Sequence, residues 1–193
     1  PITIKGGMLR GAEGDTVDTG NPYSTFDCGN TVAQAISVTT ATSAEDWNVF
    51  ERCVFTRGKT RGFSKSGVTS LKMIDCKFTS NALSTKDVSG RGGYFTGLQN
   101  GNTQLILFNC DFSGNTTTTS GSANVPQYGM GAYMLYFEKI DMSSCLFSKN
   151  GVPMEGDDKL KGGAKEVYGY AFWVQDSKLV ANGCKIIGNR ATT

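Results

Sequence analysis

The chain is predicted to be all-β, a single-stranded right-handed parallel β-helix (a solenoid) with loops inserted at one corner, and three observations predict it. The motif Cys-x-Phe-x-x-Asn recurs along the 193 residues. Within each copy, apolar residues alternate with a period of two. Between copies, glycine-rich steps lead into aromatic stretches. A motif repeated roughly every 20–50 residues marks a solenoid, whose repeats are single coils that cannot bury an apolar face alone.

The first element is a bent pair of strands. The motif reads Cys76-Lys-Phe78-Thr-Ser-Asn81, Cys110-Asp-Phe112-Ser-Gly-Asn115 and Cys145-Leu-Phe147-Ser-Lys-Asn150. Cys53-Val-Phe55-Thr-Arg-Gly58 precedes these copies and Cys184-Lys-Ile186-Ile-Gly-Asn189 follows them. Five residues before the cysteine stand Leu71, Leu105, Ile140 and Leu179; three before it stand Phe50, Met73, Leu107, Met142 and Ala181. Side chains alternate along a strand, so positions −5 and −3 share a face, as do 0 and +2. The step from −3 to 0 is odd. The chain must bend there for all four to point inward, and Asp75, Asn109, Ser143-Ser144 and Asn182-Gly183 supply turn residues. Two such strands meeting at a bend form a corner of a parallel β-helix.

The second element is the asparagine corner at position +5. Asparagine tolerates left-handed backbone, and its amide bonds to turn groups. Stacking would place Asn81, Asn115, Asn150 and Asn189 above one another in an amide ladder. Gly58 holds the position in an early coil and is expected to serve the same geometry. The third element is a strand opened by glycine. Gly6-Gly7, Gly92-Gly93, Gly129-Met-Gly131 and Gly162-Gly163 precede stretches such as Tyr94-Phe95, Ala132–Leu135 and Tyr168–Val174, and glycine there allows close approach between coils. Residues 31–50 are read as a short helix or a lateral excursion. Right-handedness follows the bias of parallel crossovers.

Spacing places the insertions. Successive cysteines, Cys28, Cys53, Cys76, Cys110, Cys145 and Cys184, are 25, 23, 34, 35 and 39 residues apart. A bare coil fits the 23; the longer gaps carry extra residues near 82–91, 116–128 and 151–161, all after the asparagine corner. Such insertions emerge on one side of a solenoid as a wall of loops. Residues 1–193 are read as one domain, with atypical coils over 1–47 and regular coils over 48–191. The chain begins with Pro1, which reads as a processed product or fragment.

Composition bounds the function. Net charge is +2, so no strong field points to nucleic acid. No apolar run is long enough to span a bilayer and no signal peptide is visible. Histidine is absent, which removes the commonest general base and most zinc sites. None of the six cysteines forms a Cys-x-x-Cys pair. An even count admits disulfides, but their shared position in the coil favours unpaired thiols stacked in the core.

Candidate chemistry is sparse. Asp75, Asp111, Asp141 and Asp176, beside Lys72, Lys77 and Arg52, fall at different repeat positions and read as solvated strand faces. Glu155-Gly-Asp157-Asp158 offers oxygen ligands without the spacing of a calcium loop. Arg57-Gly-Lys59-Thr-Arg61-Gly-Phe63-Ser-Lys65 is the one basic run and reads as a solvated turn. Tyr94, Tyr133, Tyr168, Tyr170 and Trp173 are candidates to stack on sugars or to edge the coils. Asn115-Thr116-Thr117 is a glycosylation acceptor sequence, extended by Thr118 and Thr119, although Asn115 is also the ladder asparagine.

Phe-x-x-Asn at 78–81, 112–115 and 147–150, together with Gly162-Gly163-Ala164, resembles the repeat of the chlamydial polymorphic outer-membrane proteins. The cysteine two places before the phenylalanine and Ala82 after Asn81 are similar too, and the resemblance covers residues 48–191. It implies a surface-exposed β-helix passenger used in adhesion. The expected role is therefore a non-catalytic structural or adhesive protein, extracellular or at the cell surface, without cofactor or metal. Self-assembly through coil ends or the loop wall into a fibre or layer is expected, because uncapped coils expose strand edges. A glycan- or receptor-binding passenger and a polysaccharide lyase or hydrolase are the alternatives.

Overall fold

The computed structural model describes residues 2–4, 7–10, 23–40, 47–83, 90–117, 127–151 and 167–189. Among them the chain is built of strands, and no helix is long and apolar enough to cross a membrane. Three six-stranded parallel sheets wrap one core. Sheet A holds Ile2–Ile4, Gln34–Thr40, Arg61–Gly67, Gly93–Thr96, Ala132–Leu135 and Phe172–Gln175. Sheet B holds Gly7–Arg10, Trp47–Glu51, Ser70–Ile74, Gln104–Phe108, Lys139–Ser143 and Leu179–Asn182. Sheet C holds Ser24–Asp27, Cys53–Thr56, Lys77–Thr79, Asp111–Ser113, Leu146–Ser148 and Lys185–Ile187. Each coil runs A, B, C and steps up to the next A. Two short pairs, Ala82–Leu83 with Thr116–Thr117 and Gln127–Tyr128 with Val167–Tyr168, flank the C-to-A corner. Over residues 31–50 the expected helix is corrected at the strand Gln34–Thr40 and at the start of the strand Trp47–Glu51, while residues 41–46 lie outside the described residues; β-branched Ile36, Val38 and Thr39 suit a pleat.

The bend between sheets B and C lies at position −1. Arg52, Asp75, Asn109, Ser144 and Gly183 all have positive φ there, between 50° and 62°. This one left-handed residue turns the chain so that Leu71, Met73, Cys76 and Phe78 all face inward and are fully buried. The stacking is in register. Phe55, Phe78, Phe112 and Phe147 lie ring over ring, with centroids 5.1, 4.4 and 4.9 Å apart. The thiols of Cys76, Cys110 and Cys145 point at carbonyls of the preceding coil, Phe50, Met73 and Leu107. All six cysteines are free. Burial pushes the Cys110 thiol well up, and its neighbours Cys145 and Cys76 add to the shift.

At the C-to-A corner the left-handed residue is at position +4: Arg57, Ser80, Gly114, Lys149 and Gly188. The expectation that the asparagine itself is left-handed is corrected. The asparagines instead turn inward, where Asn81, Asn115 and Asn150 are buried. Asn115 shows the pattern. Its Nδ2 donates to Asn150 Oδ1 at 3.0 Å and to the Phe78 carbonyl at 2.8 Å. Its Oδ1 accepts from the backbone N–H and the Nδ2 of Asn81, at 3.3 and 3.0 Å. Asn150 repeats this, Asn189 accepts from Asn150 in the same way, and Asn81 donates likewise while its Oδ1 accepts from the Gly58 N–H. Two donors and two lone pairs are all used, which is what burial of an amide demands.

Glycine completes the corner. A Cβ on Gly92 would lie 2.4 Å from the Gly131 carbonyl oxygen and 2.8 Å from Asn115 Nδ2; on Gly131 it would meet the Ala171 oxygen at 2.3 Å and Asn150 Nδ2 at 3.0 Å. The glycine step and the asparagine therefore meet in space, one packed against the other. Gly58 lacks the left-handed φ expected of it. Its N–H donates to Asn81 Oδ1 at 2.9 Å, and a Cβ would sit 1.9 Å from the Arg61 oxygen, so closeness and not φ requires glycine. Residues Gly6 and Gly162-Gly163-Ala164, and most of the three insertions, lie outside the described residues.

Replacing Asn115 by alanine strands the Asn81 N–H and one Asn81 amide proton in the core and removes the second bond to the Phe78 carbonyl. Each orphaned buried group costs about 1–3 kcal/mol. Denaturant unfolding of Asn115→Ala should show a loss of about 3–5 kcal/mol, and a loss under about 1 kcal/mol would contradict the ladder.

Candidate functional site

The four aspartates singled out by sequence do not share a site. Asp75 sits at the B-to-C bend and accepts from Asn109 Nδ2 at 2.7 Å. Asp111 lies on the outer face of sheet C and accepts from Ser113 Oγ at 2.6 Å. Asp141 lies on the outer face of sheet B, paired with Lys139 at 2.7 Å. Asp176 lies at the A-to-B corner with φ 47°. Of the accompanying cations, Lys72 is on the outer face of sheet B, Lys77 lies over the Tyr23 ring and Arg52 is at the B-to-C bend. Carboxylates for acid–base work on a glycosidic bond need to flank one bond, and these occupy different faces. Among the described residues, no group of three potential metal ligands converges. Glu155, Asp157 and Asp158 lie outside the described residues.

The basic run is divided by the strand it forms. Arg57 donates to Asp27 through Nε at 2.6 Å and through Nη2, and this pairing holds the Asp27 carboxyl below its usual range. Arg61 faces out from sheet A, its guanidinium carbon 4.1 Å from the Tyr94 ring centroid. Lys65 faces in. It is fully buried in the inner column Val38–Lys65–Phe95–Met134, which corrects the reading of the run as a solvated turn. Its ammonium donates to the carbonyls of Gly67 at 2.6 Å and Thr96 at 3.1 Å, and lies 5.2 Å from the Phe137 ring. The signal was present in sequence: Lys65 stands two residues after Phe63, on the same strand face.

The outward aromatics of sheet A cover one another. Tyr94 and Tyr133 stack at 5.2 Å and 5°, Tyr128 lies 6.3 Å from Tyr133 and 4.9 Å from Trp173. Tyr94 is covered by Tyr133 and by Arg61, and Tyr133 and Trp173 each pack against the tilted Tyr128 ring. A sugar platform needs open faces, so the edging role fits these rings better than the sugar-stacking one.

Asn115 is a poor acceptor for a glycan in the folded coil. Both amide protons are committed to Asn150 and Phe78, and the residue is buried. The candidate glycosylation at Asn115 is therefore corrected: a sugar on Nδ2 would displace a ladder bond. Thr116 is half-buried beside the short strand Ala82–Leu83; Thr118 and Thr119 lie outside the described residues.

Comparison with known proteins decides the family. A family model described as a right-handed β-helix region matches residues 23–192. The chain belongs to the right-handed β-helix family. The match is to the β-helix as such and does not extend to the polymorphic outer-membrane repeat in particular. No curated protein and no solved structure matched the chain.

The buried Lys65 gives this β-helix a measurable pH dependence. Burial lowers its pKa from 10.5 to about 7. Between those values the unfolded chain binds a proton that the folded chain lacks, so stability rises with pH through that window; below it, both states are protonated and the contribution is flat. Relative to Lys65→Met, wild type should gain about 1.5 kcal/mol from pH 7 to about 8.5 in denaturant titrations. Parallel pH profiles would contradict a titrating ammonium at this site.

Proposed function

We propose that this chain is a non-catalytic structural or adhesive β-helix of the cell surface or extracellular space. The observation that carries the reading is the commitment of its polar side chains. The buried asparagines are spent in the ladder, and the exposed carboxylates and cations are dispersed over different faces or paired locally. Catalysis on a polysaccharide would need several of them within reach of one bond. The likeness of Phe-x-x-Asn to the outer-membrane passenger repeat supports the surface location and the adhesive role.

Self-association belongs to the same reading. The last described coil leaves inner-column residues uncovered: Ile186 is 58% exposed and its neighbour Ile187 57%. Its three strands, Phe172–Gln175, Leu179–Asn182 and Lys185–Ile187, stand at the edges of their sheets. A further coil of the same kind, from the same chain or from a second copy, would cover the apolar surface and pair the strand edges.

Two measurements test the proposal. Incubation with a panel of uronic-acid and neutral glycans should release no new reducing ends and no unsaturated product; turnover abolished by Asp75→Asn or Asp111→Asn would establish the lyase or hydrolase reading instead. Electron microscopy of native material should show fibres or layers whose repeat runs along the coil axis. Isolated rods at all concentrations would remove the end-to-end assembly.

A further inference from the structure

The outer face of sheet B has an unusual composition for a solvent-facing surface. Inward residues alternate with outward ones along each strand. With Leu71, Met73, Leu105, Leu107, Ile140 and Met142 all buried, the residues between them face out. The register aligns those in columns along the sheet, here followed over five of its six strands. One column reads Val49, Lys72, Ile106, Asp141, Val180 and the next Glu51, Ile74, Phe108, Ser143, Asn182. Phe108 is 48% exposed, Val180 43% and Trp47 37%. All-parallel sheets are rarely left with one face bare, and a flat apolar face invites a second sheet.

The order of the charges indicates which sheet. Lys72 is one coil below Ile106 and Asp141 one coil above it. Place a second copy face to face, related by a two-fold axis lying between the sheets, parallel to the strands and over Ile106. Coil direction then reverses and strand position is kept. Lys72 of each copy meets Asp141 of the other, Val49 meets Val180, and Ile106 and Phe108 each meet themselves. Trp47 meets Lys178, a pairing of ring and cation. Glu51 meets Asn182 and Ile74 meets Ser143. Asp141 also holds Lys139 of its own chain at 2.7 Å, so its carboxylate takes one lysine from each copy. Within one chain Lys72 and Asp141 are two coils, roughly 10 Å, apart, so they meet only across copies.

From this geometry we infer that the outer face of sheet B is an isologous interface, through which two copies of this chain pack sheet to sheet with antiparallel coil axes. Self-complementarity of i with j and j with i is the requirement of a two-fold contact. Aligned strands are the ordinary geometry of two packed sheets. The pairing uses a side of the solenoid, so it closes at two copies and is independent of assembly through coil ends.

Sedimentation velocity of the full chain across a concentration series tests it. Wild type should pass from monomer to dimer. Phe108→Glu should remain monomeric with an unchanged melting temperature, since the side chain faces out. Lys72→Glu sets like charges together at two symmetric places and should weaken dimerisation about ten-fold. Ile106→Cys locates the axis. Oxidised glutathione, itself reduced to two thiols, should join the two introduced thiols across the axis into a disulfide-linked dimer, while wild type gives none. A chain that stays monomeric throughout, a dimer that Phe108→Glu leaves intact, or Ile106→Cys that does not cross-link would each overturn the inference. Fibres lost from the end-to-end assay with this dimer retained would overturn the coil-end reading alone.

Discussion

An amide buried in a protein must find partners for two protons and two lone pairs, and this requirement organises the solenoid. Asn81, Asn115 and Asn150 each bond to the coil below through the phenylalanine carbonyl and to the coil above through the next asparagine. A coil that slipped or tilted would break several bonds at once. The ladder thus fixes the stacking register at one corner, and the phenyl rings three residues before it are held face to face. Glycines at the start of sheet A are needed because a Cβ would strike the amides or the next backbone. Motif halves far apart in sequence are therefore one contact.

Much of this was legible from residue order. Period-two alternation around each cysteine gives the inner faces of sheets B and C, and the odd step between them gives the bend. The location of the left-handed residues was not legible at the asparagine corner. Propensity favours asparagine for positive φ, yet Arg57, Ser80 and Lys149 adopt it. A left-handed residue costs about 1 kcal/mol without glycine, and the gain of turning the following amide into the ladder exceeds that. Tertiary hydrogen bonding overrode local preference. Lys65 was hidden for a different reason. Charge in a basic run suggests solvent, whereas the strand period places it inward, where two carbonyls receive its ammonium.

The surfaces of the coil differ in character because the three sheets do. Sheet A presents rings that cover each other, sheet C presents threonine, serine and mixed charge with Val54, Leu146 and Ile187 among them, and sheet B alone adds an exposed aromatic ring, Phe108, beside aliphatic side chains, a lysine and an aspartate. The run Leu105-Ile106-Leu107-Phe108 carries this in the sequence: alternation lapses, and both faces of that strand become apolar. A scaffold whose interior is uniform from coil to coil is free to vary outside. That freedom lets the three outer faces differ while the stack beneath them stays the same.

Native-state hydrogen exchange on the backbone amides of Asn81, Asn115 and Asn150 tests the central claim most directly. These N–H groups donate to side-chain oxygens of the next coil, so they should exchange only when the whole stack unfolds, as slowly as amides in the strands of sheet C. Exchange near the rate of an unfolded chain would show that the asparagines do not bind coil to coil, and that the register has another origin.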